Sequence, residues 1–258
     1  MLMGPLYVGV SLKMYFGYGA GLDWFRQVAA TSAVHPAVVS GDIVLFVMPS
    51  HLQVTSALEA FRGTPVLVGA QDGAAEDSGA FTGEVSAAEL AEVGVSLVEV
   101  GHAERRDLFG EDEEVVAAKT GAVLRNRMTP LLCLGEPAGL SEPAAADYVV
   151  TQLHSALANA PAGRVLVAYE PKWAIGAEEP APVTRVRAVC GALRAVLRGM
   201  PERAGSGVIY GGAARPGLLA EFHGHVDGLF LGRFAHDPDA LWQVVDEAAT
   251  VLRSSVAG

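Results

Sequence analysis

The feature that most constrains this chain is a series of eight short, largely continuous apolar runs rich in Val, Leu and Ile. They fall at residues 6–10, 43–47, 66–69, 97–100, 130–134, 165–169, 208–210 and 229–231. Hydrophobicity that does not alternate marks strands covered on both faces, as in a parallel sheet. Between the runs lie segments of helical period, clearest at 22–33, 86–93, 113–127, 144–158, 183–197 and 239–252. Ser86 precedes Glu89 by three residues, a capping-box spacing, and Asp237 stands as a cap before the helix-opening Pro238. Such a repeat folds either as an open doubly wound sheet or as a closed (β/α)8 TIM barrel, and periodicity alone does not choose between them. The 258 residues suit one barrel, which typically takes about 250. No linker or low-complexity tract interrupts the series, so residues 1–258 read as a single domain.

Charge and cysteine usage exclude several function classes. A net charge of −11 without any dense Lys/Arg run predicts no nucleic-acid partner, since a phosphate-backbone binder needs a basic footprint. Only three lysines occur, Lys13, Lys119 and Lys172, so a lysine inside a motif carries weight. Cys133 and Cys190 make neither a disulfide framework nor a metal spacing, which fits a reducing cytoplasm. The apolar start MLMGPLYVGVSLK has no positive n-region or cleavage site and is too short to span a bilayer. It reads as a buried strand, with no membrane association.

Polar residues recur just beyond the predicted strands. Ser11 and Lys13 follow the first, His102 and Glu104 the fourth, Glu136 the fifth and Glu170 the sixth, while Gly211-Gly212 and Gly232 follow the last two. In a (β/α)8 barrel all of these converge on the C-terminal face, where such enzymes keep their active sites. Taken singly, Lys13 suits a solvated charge, His102 a loop histidine and Glu170 a helix-start carboxylate; their joint position points to chemistry. Proton abstraction beside a carbonyl needs a carboxylate base, a neutral hydrogen-bond donor and a cation, which Glu170, His102 and Lys13 supply. Ile175 and Phe230 would desolvate the Glu170 carboxylate once a lid closed. The chemistry calls for no metal and no cofactor.

The segments AYEPKWAIG (168–176), GHAERRDLFGE (101–111) and IYGG (209–212) resemble those of the triosephosphate isomerase family. GAQ (69–71), GAFTGE (79–84) and LCLGE (132–136) match in the same order, so the resemblance runs nearly end to end. It implies an aldose–ketose isomerase with Glu170 as base, His102 as electrophile, Lys13 as cation and Glu104 as a partner near Lys13. Cys133 and Glu136 match residues behind the site. Residues 171–176 match the start of a mobile lid, with Trp173 on the hinge side and Gly176 offering its N–H to phosphate; Ala213 and Gly232 match further phosphate-binding turns. The loop from Asp72 to Glu84 matches one that inserts into a second subunit, which implies a homodimer.

Several ligand-side positions depart from the family. Ser11-Leu12 stand where Asn-Trp is usual, Ala103 and Ala213 where serines are usual, and Arg233 where a second phosphate-loop glycine is usual. Phe230 replaces an aliphatic clamp, and Glu178-Glu179-Pro180 closes the lid where a flexible Gly-Lys-Thr run is common. Arg233 offers a forked phosphate contact or narrows the pocket. Dihydroxyacetone phosphate and glyceraldehyde 3-phosphate are the default substrates of such a chain. Preserved chemistry in an altered pocket makes a tetrulose phosphate the alternative, and a sugar-phosphate-binding protein with weak turnover the rival of another class.

Overall fold

The apolar runs become strands because their two faces are buried against different partners. In the computed structural model, which describes residues 4–222 and 224–256, these are β1 (Leu6–Ser11), β2 (Ile43–Met48), β3 (Leu67–Ala70), β4 (Leu97–Val100), β5 (Thr129–Leu134), β6 (Leu166–Tyr169), β7 (Gly207–Tyr210) and β8 (Gly228–Leu231). Every neighbouring pair is parallel, and β1 pairs with both β2 and β8. No edge remains, which rules out the open sheet. One barrel domain results; residues 1–3, His223 and 257–258 of the predicted domain lie outside the described residues.

Alternate residues of each strand point inward and outward. The outward set, including Val8, Val10, Val98, Val100, Leu132 and Val208, packs under the helices in the larger core. The inward set, including Phe46, Leu97, Leu131, Leu166, Ile209 and Phe230, fills the lumen. Each large side chain so buried contributes about 1.5–3 kcal/mol. Glu99 follows Leu97 by two and therefore also faces the lumen, in register with Leu131 of β5.

The capping signals hold. The Ser86 side chain accepts from the Glu89 N–H, and Asp237 accepts from the Asp239 N–H at 3.0 Å ahead of the helix Pro238–Val256. The first long helix is Tyr18–Ser32, four residues earlier than predicted, because Gly19 and Gly21 read as breakers. Helices Pro36–Val39, Val54–Ala60, Ala103–Phe109 and Leu218–Glu221 were not foreseen, being too short to display a period. No helix among the described residues is long and apolar enough to cross a membrane.

Candidate active site

Glu170 is the first residue beyond β6, and its carboxyl lies 6 % exposed under the lid. It fits there because a Cβ on Gly211, the residue after β7, would overlap its Oε1. Glu170 Oε2 has no hydrogen-bond partner in the protein and stands 3.6 Å from His102 Nε2. An unpartnered buried carboxylate oxygen is costly unless a ligand uses it.

His102 caps the helix Ala103–Phe109, its Nδ1 accepting the Glu104 N–H at 3.1 Å. A ring nitrogen that accepts carries no proton, so the neutral imidazole presents Nε2–H to the cavity. Lys13 completes the group in a left-handed backbone (φ 45) rare for a residue with a side chain. Gln71 holds it there, donating to the Lys13 carbonyl at 3.0 Å and the Met48 carbonyl at 2.9 Å. The Lys13 ammonium pairs with Glu104 at 2.7 Å. Burial works against that charge, but the hydrogen bond and charge of Glu104, with the charges of Glu170 and Glu99, outweigh it and hold the pKa above its ordinary value.

These three side chains line one cavity of about 330 Å³ together with Ser11, Ile175, Phe230 and the glycine turns. Phe230 stacks on Phe46 in the lumen at 5.8 Å and closes the floor on one side. Gly176, Ala213, Gly232 and Arg233 also line the cavity; Ala213 is left-handed (φ 47), which turns the chain tightly after β7. Arg233 lines the mouth, its guanidinium 5.9 Å above the Tyr15 ring. Ile175, Gly176 and Ala177 cover the cavity, and the far end of the lid is tied by the Ala181 N–H to the Tyr210 hydroxyl at 2.7 Å.

Glu136 lies behind the cavity rather than in its lining: fully buried, it accepts from the Tyr169 hydroxyl at 3.1 Å, the Trp173 indole at 3.4 Å and Arg185 at 3.4 Å, and so anchors the lid root. Glu178 and Glu179 are both exposed; Glu178 borders the cavity and Glu179 pairs with Arg215 at 3.1 Å. Asp72, the first residue of the long loop, is buried against Lys119 at 2.7 Å and Arg105 at 2.8 Å, while 76–84 project into solvent.

Sequence reasoning missed Gln71, Arg215 and Glu99. Gln71 lay inside a matched motif without a role, and nothing local distinguished Arg215 from other surface arginines. Glu99 had a visible signal, a charge in the middle of a buried strand. Its carboxyl faces the Ser11 hydroxyl at 3.4 Å and the Cys133 thiol at 3.8 Å. Burial raises the Cys133 thiol well above its usual pKa, so it sits there as a neutral packing group.

The profile of the family described as Triosephosphate isomerase matches residues 6–248. An L-erythrulose-1-phosphate isomerase of Pectobacterium atrosepticum is 47 % identical over 253 residues, 95 % of this chain and 96 % of that one. A triosephosphate isomerase of Rhodococcus jostii is 38 % identical over 90 % of this chain and 92 % of its own. Among solved structures, triosephosphate isomerase from Bartonella henselae superposes with a TM-score of 0.79 at 25 % identity, covering 95 % of this chain and 99 % of that one.

Proposed function

The chain belongs to the triosephosphate isomerase family, and we propose that the sugar phosphate it isomerises has four carbons, with L-erythrulose 1-phosphate as the substrate. The carrying observation is the 47 % identity to an isomerase of that name over nearly the full length of both chains. The pocket supports it: Ser11, small and buried, lines the cavity where the family carries a longer amide, which leaves room for an added hydroxymethyl group. The three-carbon pair, the default from sequence, is less well supported; the Rhodococcus relative keeps it as the second reading.

In this reading the phosphate sits against the N–H groups of Gly176, Ala213 and Gly232, with Arg233 at the rim. Glu170 Oε2 takes the proton from C3 of the sugar, and the C–H electron pair becomes the C2–C3 double bond of an enediolate. The His102 Nε2–H donates to its oxygens and moves a proton between them, while Lys13 balances the negative charge. Return of the proton to C2 leaves the carbonyl on C3, so the product is the 4-phosphate of erythrulose. The same transfer on the triose pair interconverts ketose and aldose.

Steady-state rates on L-erythrulose 1-phosphate and dihydroxyacetone phosphate distinguish the readings. We expect kcat/KM at least about tenfold higher for the four-carbon substrate, the scale of a pocket fitted to one added carbon. A preference for the triose would overturn the assignment. Deuterium exchange from solvent into the substrate, lost in Glu170→Gln by about a hundredfold or more, separates an enzyme from a binding protein. We also assign the protein to the cytoplasm, which its two free, buried cysteines support, and to a homodimer.

A further inference from the structure

One buried acid at the floor of the cavity is unused by the chemistry above. Glu99 is 3 % exposed, with one oxygen facing the Ser11 hydroxyl and the other the Cys133 thiol. Ser11 lines the cavity and Glu99 does not, so any influence of Glu99 on a ligand passes through that hydroxyl. A serine has one proton to place. Beside a carboxylate the Ser11 O–H points down to Glu99, and only lone pairs meet the ligand. Beside a carboxylic acid the acid donates to Ser11 Oγ, and the serine proton turns up into the cavity.

We propose that Glu99 is a positioning residue for the isomerisation: as a carboxylic acid it donates to Ser11 and so aims the Ser11 hydroxyl proton at the oxygens of the reacting sugar phosphate. The proposal rests on the isomerase reading above. It accounts for how a site lacking the family's asparagine still offers a donor beside the enediolate.

The surroundings favour the acid near neutrality. The groups facing Glu99 are Ser11 at the end of β1 and Lys13 after it, His102 and Glu104 after β4, Cys133 on β5 and Glu170 after β6. Burial is the largest influence and disfavours ionisation; the Lys13 ammonium opposes it, whereas the charges of Glu170 and Glu104 reinforce it. The carboxyl is pushed up to about 7.

The test is the pH profile of kcat/KM, which reports groups of the free enzyme, measured with L-erythrulose 1-phosphate and dihydroxyacetone phosphate. In Glu99→Gln the amide donates to Ser11 at every pH. The wild type should lose about tenfold or more on the alkaline side of neutrality, and Glu99→Gln should hold its low-pH rate across the range. Ser11→Ala, which keeps Glu99 but breaks the relay, should be slower and lack the alkaline fall. An alkaline fall that persists in Glu99→Gln overturns the proposal, and so does its survival in Ser11→Ala should the glutamine variant not fold. A wild type inactive on every sugar phosphate defeats the isomerase reading itself. An active wild type whose profile neither substitution alters defeats only the role of Glu99.

Discussion

Burial of Glu99 makes stability depend on pH in the sense opposite to that of a salt-bridged carboxylate. Its pKa moves from the ordinary 4.5 to about 7 on folding, so the native state binds the proton more tightly than the unfolded chain. The contribution is fully present below about pH 4.5 and is lost as pH rises through 7. At pH 8 this costs on the order of 3 kcal/mol. Glu99→Gln should therefore melt several degrees above the wild type at pH 8, and that advantage should shrink toward pH 5; a pH-independent difference would refute the account. The convergence of Lys13, His102 and Glu170 on one cavity was legible in sequence because each follows an apolar run inside a motif. Glu99 showed in sequence only as a charge within an apolar strand, and its partners Ser11 and Cys133 appear only when β1, β4 and β5 converge.

The lid is held by contacts of unequal worth. Tyr210→Phe would leave the Ala181 N–H without its acceptor, and an unsatisfied buried donor costs about 1–3 kcal/mol. The bond ties the end of the cavity-covering segment to the barrel, so we expect kcat/KM to fall about tenfold or more in this variant. Glu179–Arg215 is exposed on both sides, and such pairs contribute about 0–1 kcal/mol. Glu179→Ala should therefore lower kcat/KM by less than about fivefold. Steady-state kinetics on the two variants check the ranking, and a larger effect at Glu179 would reverse it. From sequence the acidic stretch 178–180 looked like the feature that governs lid motion, whereas the stronger tie is made by a tyrosine on β7. Propensity reads the strand and the lid separately; the hydrogen bond between them is tertiary. The same limit hid the four short helices, which packing stabilises rather than period.

At the scale of the molecule, the repeat of strands and helices left a barrel and an open sheet both possible, and the closed strand order decides for the barrel. The loops after β1 to β4 occupy adjacent positions around the barrel and expose Met14 (95 %), Leu52 (86 %), Phe81 (45 %) and Phe109 (67 %). Scattered apolar residues need no explanation, but several on neighbouring loops mark an interaction surface. The proposed homodimer would cover it, since the exposed stretch 76–84 belongs to the same rim and carries Phe81. Lys13 connects assembly to activity. Its left-handed backbone costs about 1–3 kcal/mol, Gln71 offsets part of this, and the adjacent Met14 has nothing to pack against within one chain. Burial of Met14 beneath the partner's loop would supply the rest. Sedimentation equilibrium should give twice the 26.8 kDa chain mass, and Phe81→Asp should give monomers. Those monomers should keep the barrel's circular dichroism but lose about tenfold or more in kcat/KM, because Lys13 then relaxes from the strained position that points its ammonium at the enediolate. A fully active monomer would show that one chain alone holds Lys13 in place.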